Sequence, residues 1–333
     1  MITQEIFNSN LDFLLPEKPS HIAVAVSGGA DSMALTLLTN NWAKARKVKL
    51  TAITVDHNLR PESKFEAETV HKWCKKYKIN HTILTYTGVI PTSNIEAVAR
   101  EYRYELLTNY MKDKSINYLL IAHNQDEQRE TFFLNLARGS GVYGLCGMPT
   151  ISERMGIKII RPMLNFTKQE IKEYLNSIQQ EWIEDPSNSD TKYKRVRIRN
   201  LKKLIDTLGL SNARLSDTMK NMERVRNSIE FFVSECIEKA VISNGSKLVL
   251  DTEKFLYYPS EICLRTLAKL IKDFTNSDYP PRFESIENLY MKIKNSTLNK
   301  GITLSKAKIF FDKSKNIVFE SEVGRGKKTT GKI

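Results

Sequence analysis

The hexapeptide Ser27-Gly28-Gly29-Ala30-Asp31-Ser32 carries the chemistry most directly readable in this chain. It follows the apolar run Ile22 to Val26 and precedes Met33, Leu35, Leu37 and Leu38, so it joins a buried strand to a helix. Two glycines at such a corner let the backbone approach an anion closely and adopt positive φ. The first N–H groups of the helix lack intrahelical partners and can point at the same anion. Ser27 and Ser32 add hydroxyls. Asp31 cannot bind phosphate directly and is better suited to holding a Mg2+ that does. The pattern lacks the Gly-Lys-Ser/Thr ending of a Walker loop and the third glycine of a dinucleotide fingerprint.

A second cluster, His123-Asn124-Gln125-Asp126-Glu127-Gln128-Arg129-Glu130, follows the apolar run Tyr118 to Ala122. Asp126 and Glu130 are four apart and Glu127 and Glu130 three apart, so their carboxylates can converge on one helical face. Such a group can hold Mg2+, with Asp31 and Asp126 as candidate ligands, or a cationic substrate. Acidic residues in a first turn are also favoured by the helix dipole alone. His123, at the strand end, is placed to contact phosphate or to act as acid or base. Asp56-His57 closes a third apolar run, Leu50 to Val55.

Strands alternating with helices must position these clusters. His81 to Tyr86 alternates as a further strand, while Val70, Trp73, Cys74 and Tyr77 recur at helical spacing. Asn94 to Met111 reads as a long helix with Tyr102, Leu106 and Tyr110 on one face. Ile159 to Pro162 reads as extended, and Ile171, Tyr174, Leu175 and Ile178 mark another helix. The order predicts an α/β fold with a mostly parallel, doubly wound sheet. Ligands of such sheets bind at the carboxyl ends of the strands, where all three clusters fall. A natural boundary at Gly209 to Asn212 divides a catalytic domain, 1–208, from a smaller, mainly helical domain, 209–323. That domain contains helices around 215–237, 262–271 and 283–293 and a terminal hairpin, Lys308 to Phe311 with Ile317 to Phe319. Residues 324–333 read as a basic disordered tail.

The net charge of +13 suits a polyanionic partner, nucleic acid first. Lys192, Lys194, Arg195, Arg197, Arg199, Lys202 and Lys203 concentrate that charge. Four well-separated cysteines form no Cys-x-x-Cys, which removes support for zinc-ribbon, iron–sulfur and CxxC redox readings. No apolar stretch is long enough to span a membrane and no signal peptide is visible, so a cytoplasmic location is expected.

With these residues in view, Ser27–Ser32 resembles the PP-loop of ATP pyrophosphatases, the adenine nucleotide alpha hydrolase-like fold. The first two hundred residues resemble the tRNA(Ile)-lysidine synthase family. The matching pieces are S-G-G-A-D-S at 27–32, V-D-H-N-L-R at 55–60, N-I-E-A-V-A-R-E-Y-R-Y at 94–104 and A-H-N-Q-D-E-Q-R-E-T at 122–131. R-G-S-G at 138–141, R-P-M-L at 161–164, E-D-P-S-N at 184–188 and R-V-R-I-R at 195–199 follow. Asp126-Glu127 stands where the family usually has two aspartates, and Val196 where it usually has asparagine.

The resemblance implies ATP-dependent adenylation of the wobble cytidine of a CAU-anticodon tRNA(Ile), then attack by the ε-amine of free L-lysine. It implies ATP binding by Ser27, Gly28, Gly29, Ala30, Asp31, Ser32, Asp56 and His57, with Mg2+ on Asp31. Arg103, Arg195 and Arg199 are candidate cations for developing charge, His123 is a further catalytic candidate, and Glu127 and Glu130 would receive the lysine ammonium. The 192–203 segment would bind tRNA. The resemblance leaves room for a homodimer. Two rivals are a PP-loop tRNA thiolase, which needs paired cysteines, and a non-catalytic RNA-binding protein, against which intact Asp31, His123 and Glu130 argue. A glutamine-amidotransferase synthetase would need an additional glutaminase domain.

Nothing in this chemistry needs a thiol. Cys74→Ser and Cys146→Ser should each retain lysidine formation, measured as the modified nucleoside after incubation with tRNA, lysine and ATP. Loss of activity in a folded mutant would restore the thiolase reading.

Overall fold

The computed structural model describes residues 2–58, 62–88, 95–184, 197–198, 201–244, 247–277, 279–298 and 301–321. Two compact units, Met1–Met222 and Glu223–Ile333, part within the helix Asn212–Ala240, later in the chain than the compositional break at Gly209.

The first unit is built on a six-stranded sheet in the order β3-β2-β1-β4-β6-β5. Its strands are β1 (His21–Ala25), β2 (Lys49–Asp56), β3 (Asn80–Thr85), β4 (Tyr118–Leu120), β5 (Ile151–Arg154) and β6 (Ile157–Ile160). All adjacent pairs are parallel except β5 with β6. β2 and β4 flank β1, so connections leaving β1 and β4 diverge and open a crevice at the carboxyl edge.

The period-two alternation of the strands decides which side each residue serves. Ile22, Val24 and Leu120 join a core with helices α1 (Gln4–Leu14), α2 (Ala30–Arg46), α3 (Glu62–Lys76) and α7 (Lys168–Ser177). Ala23, Ile53 and Leu119 form the opposite core with α4 (Ile95–Asp113). Met33, Leu35, Leu38 and Trp42 of α2 are fully buried, because α2 is covered by α1 and α7 as well as by the sheet. Two further helices, α5 (Gln125–Leu136) and the single turn α6 (Val142–Leu145), follow β4.

Three features go beyond the sequence reading. The buried face of α4 is Tyr104, Leu107, Thr108 and Met111, while Tyr102, Leu106 and Tyr110 are half-buried. The two tyrosines also reach the β3 side: the Tyr102 ring lies 4.3 Å from that of Tyr86, and the Tyr110 hydroxyl shares a 3.1 Å bond with Thr82. β5 was not anticipated. It pairs with β6 through Met155 and Gly156, both at positive φ, the backbone of a tight two-residue hairpin. In the second unit the expected hairpin supplies the middle of a five-stranded antiparallel sheet covered by the helices Ser260–Phe274 and Phe283–Lys294. Its remaining strands are three or four residues long, too short for a periodic signal. The proposed tail lies outside the described residues.

Asp12 ties α1 to α2 by accepting bonds from Trp42 Nε1 at 3.0 Å and from the Arg46 guanidinium. The Arg46 bond, helped by Trp42 and opposed by desolvation, holds the Asp12 carboxyl below its ordinary range. Its stabilisation is therefore present above the unfolded value, about 3.9, and is lost as pH falls through the lower folded value. Asp12→Asn should lower Tm at neutral pH, and the gap from wild type should narrow in acid. A pH-independent gap would mean the contact acts by packing alone.

Candidate active site

The loop after β1 is shaped by contacts that only glycine permits at position 28. Gly28 has φ +89, and a Cβ there would lie 2.7 Å from Ile183 Cδ1 and 2.8 Å from Val70 Cγ2. Its carbonyl accepts the Ile183 N–H at 2.9 Å. Gly29 is the N-cap of α2 and has no side-chain cap; a Cβ on it would touch nothing closer than 3.8 Å. Its value is therefore the access it leaves to the helix N–H groups rather than room for this chain's own atoms. Ser32 commits its hydroxyl to the loop, donating to the Gly29 carbonyl at 3.0 Å and accepting from Ser27 N at 3.1 Å.

Across the crevice, Asn124 caps α5. Its side chain accepts from Glu127 N at 2.9 Å, and Glu127 returns a carboxylate oxygen to Asn124 N at 3.2 Å. The remaining amide hydrogens of Asn124 reach the first loop, donating to Asp31 Oδ1 at 3.0 Å. Asp126 Oδ2 accepts the Lys168 N–H at 2.8 Å, coupling α5 to the start of α7.

Two cavities share the wall formed by Ser27, Gly29, Asp31 and Glu127. The first, about 260 Å³, is apolar along Ile53, Leu107 and Ile121 and polar at Arg103 and His123. The second, about 490 Å³, is lined by charge: Asp126 and Glu130 from α5, Lys168 and Lys172 from α7, and Glu184. Glu130 is 3% exposed. Burial pushes the Asp31 carboxyl above its ordinary range, the Asn124 bond and Lys168 pull it down, and Asp126 adds to the rise. A carboxyl so placed gains from any cation that arrives.

Asp31, His123, Arg103, Glu127 and Glu130 thus meet around one shared wall, as do Ser27, Gly29, Ala30 and Ser32, while Gly28 lines neither cavity. Asp56 and His57 line neither cavity. Asp56 is buried and turns the chain by accepting the Asn58 N–H at 2.9 Å. His57 Nε2 accepts from Arg103 Nε at 3.1 Å, and burial together with Arg103 pushes the ring down to about 4, so it is neutral at pH 7. It touches the lining of the first cavity at Arg103. Lys192, Lys194, Arg195 and Arg199 lie outside the described residues, as do the side chains of Lys202 and Lys203. Arg197 is exposed. Sequence reasoning passed over Arg161, Lys168 and Lys172. Arg161 appeared only inside R-P-M-L, and the lysines belong to a helix distant in sequence from both loops.

A PP-loop domain model matches residues 3–207. The chain is 37% identical over 312 residues to the tRNA(Ile)-lysidine synthase of Wolbachia pipientis wMel, covering 93% of this chain and 71% of that protein. It is 33% identical over 296 residues to that of Hyphomonas neptunium, covering 86% and 78%. The chain belongs to the tRNA(Ile)-lysidine synthase family. Membership makes it an enzyme and its PP-loop an ATP site.

Among solved structures, the U34-tRNA thiolase NcsA from Methanococcus maripaludis is similar at TM-score 0.56 and 17% identity, covering 67% of this chain and 77% of that one. That likeness is of the fold alone. All four cysteines are buried, and burial pushes Cys74 and Cys263 up to about 12, far from the thiolate that sulfur chemistry needs. Among the described residues no group of three or more His, Cys, Asp or Glu side chains could hold a metal by itself. No helix of the described chain is long and apolar enough to cross a membrane.

Asp31→Ala should abolish AMP release while leaving tRNA affinity, read by filter binding, largely intact. AMP release at the wild-type level by the mutant would sink the placement of ATP at this wall.

Proposed function

We propose that the chain makes lysidine in the cytoplasm: it adenylates the wobble cytidine of CAU-anticodon tRNA(Ile) with ATP, then joins free L-lysine through its ε-amine. The carbonyl oxygen at carbon two of the base attacks the α-phosphorus and pyrophosphate leaves. The amine nitrogen then attacks carbon two, AMP leaves with that oxygen, and a carbon–nitrogen bond has formed. The observation that carries this reading is the shared wall, which sets a nucleotide-sized cleft against a carboxylate-lined chamber.

The apolar side of the smaller cavity, Ile53, Leu107 and Ile121, suits an adenine ring, and the Ser27–Gly29 backbone suits the phosphates. Arg103 and His123 supply donors at that cleft, where developing negative charge needs fixed positive partners. Lys168 and Lys172 add cations on the side where pyrophosphate would depart. Mg2+ fits Asp31, with Asp126 beside it: both are oxygen donors facing phosphate, and Mg2+ is commonly held by one or two carboxylates together with phosphates and water. Bound there, it would neutralise phosphate charge. The 192–203 cations and the second unit are assigned to the tRNA backbone, where phosphate neutralisation makes binding salt-dependent.

Glu127 and Glu130 are assigned to the lysine ammonium, which needs charged, hydrogen-bonded partners once removed from water. Glu130 is the stronger candidate, since it is the more deeply buried of the two. Mass spectrometry of the wobble nucleoside, after incubation of tRNA, lysine and ATP, tests the whole reading. An unmodified cytidine with every substrate present would reject it.

Losing one partner of a buried charge pair costs about 2–5 kcal/mol. Glu130→Gln should therefore raise the lysine KM by roughly 30-fold or more, or accumulate adenylated tRNA, while pyrophosphate release survives. An unchanged lysine KM with abolished pyrophosphate release would make these carboxylates metal ligands instead.

A further inference from the structure

His123 is held by a residue from outside its own segment. Arg161 follows β6 directly and is 7% exposed. Its Nε donates to His123 Nδ1 at 3.2 Å, and its Nη1 donates to the Pro149 carbonyl at 2.8 Å and to Ser152 Oγ at 2.9 Å. A guanidinium has donors and no acceptor. The nitrogen facing it must offer a lone pair, so Nδ1 carries no proton and the proton of the neutral ring sits on Nε2. Arg161 cannot swing away without giving up its two bonds to the β5 end. Its planar fork is therefore fixed before any ligand arrives.

We propose that Arg161 is a positioning residue that locks His123 as the Nε2–H tautomer, so that His123 enters adenylation as a neutral hydrogen-bond donor to an ATP phosphate oxygen and not as a base. A base would have to present a lone pair to the cleft. In this arrangement the Nδ1 lone pair is taken by Arg161 and Nε2 bears the proton. The part concerning phosphate rests on the reading of this cleft as the ATP site; the tautomer does not.

The decisive measurement is 15N spectroscopy of the imidazole nitrogens in the full chain, with His123 assigned by its disappearance in His123→Asn. The expected result is an unprotonated Nδ1 and a protonated Nε2, with or without a non-hydrolysable ATP analogue. A proton on Nδ1 would overturn the proposal. In Arg161→Gln the ring should become a mixture of tautomers, and kcat for AMP release should fall by about 10- to 100-fold, as for other orienting partners, with little change in the ATP KM. Arg161→Lys, which like arginine offers donors and no acceptor, should recover much of the loss.

Because Arg161 is buried and its variants can fail to fold, a second pair leaves it in place. His123→Gln keeps an N–H near the position of Nε2, whereas His123→Asn places its amide near Nδ1. The glutamine variant should be clearly the more active, and equal loss in both would count against the donor role. Absence of AMP release by the wild type would reject the functional reading, while the tautomer is read without turnover.

Discussion

The hydrogen bond from Asn124 Nδ2 to Asp31 Oδ1 is the contact on which the candidate site depends. It spans the crevice that the strand order opens between the exits of β1 and β4. It ties the loop carrying Asp31 to the turn carrying His123, which leave the same sheet edge from the paired strands β1 and β4. Asn124 is also the N-cap of α5, so one side chain satisfies a helix terminus and fixes the distance between two loops. The same bond steadies the charge of Asp31, which burial otherwise opposes.

Charge is distributed unevenly around that clasp, and the unevenness has chemical meaning. One side is apolar with donors at its rim, fit for a base and its phosphates. The other carries acidic and basic residues in contact range of the same wall, so cations and anions can both be held without either entering the apolar side. The Lys172–Glu184 ion pair, 2.7 Å long, leaves the Lys172 ammonium within reach of the chamber it lines. Such exposed pairs contribute little to stability; their worth here lies in where the charge is kept.

Much of this arrangement was legible in the sequence because it is local. A hexapeptide between a strand and a helix declares its anion-binding corner through its residue types, and carboxylates three and four apart share a helix face wherever the helix goes. Arg161, Lys168 and Lys172 were not legible, because only the sheet order places them beside loops distant in sequence. Asp56, read as a ligand-binding residue, lines neither cavity and accepts a backbone N–H two residues on, and no spacing rule separates those roles.

The bond between Ile183 N–H and the Gly28 carbonyl has an implication for modularity. The phosphate loop is encoded near the start of the chain yet is finished by a segment far along it, whose side chain fills the space a Cβ on Gly28 would need. The motif is therefore not a portable part. A strand–loop–helix fragment grafted onto another scaffold would carry every signature residue and still lack the surface against which the loop takes its shape. Recombination within such families should be tolerated on either side of the whole first unit more readily than between its phosphate loop and the segment around Ile183.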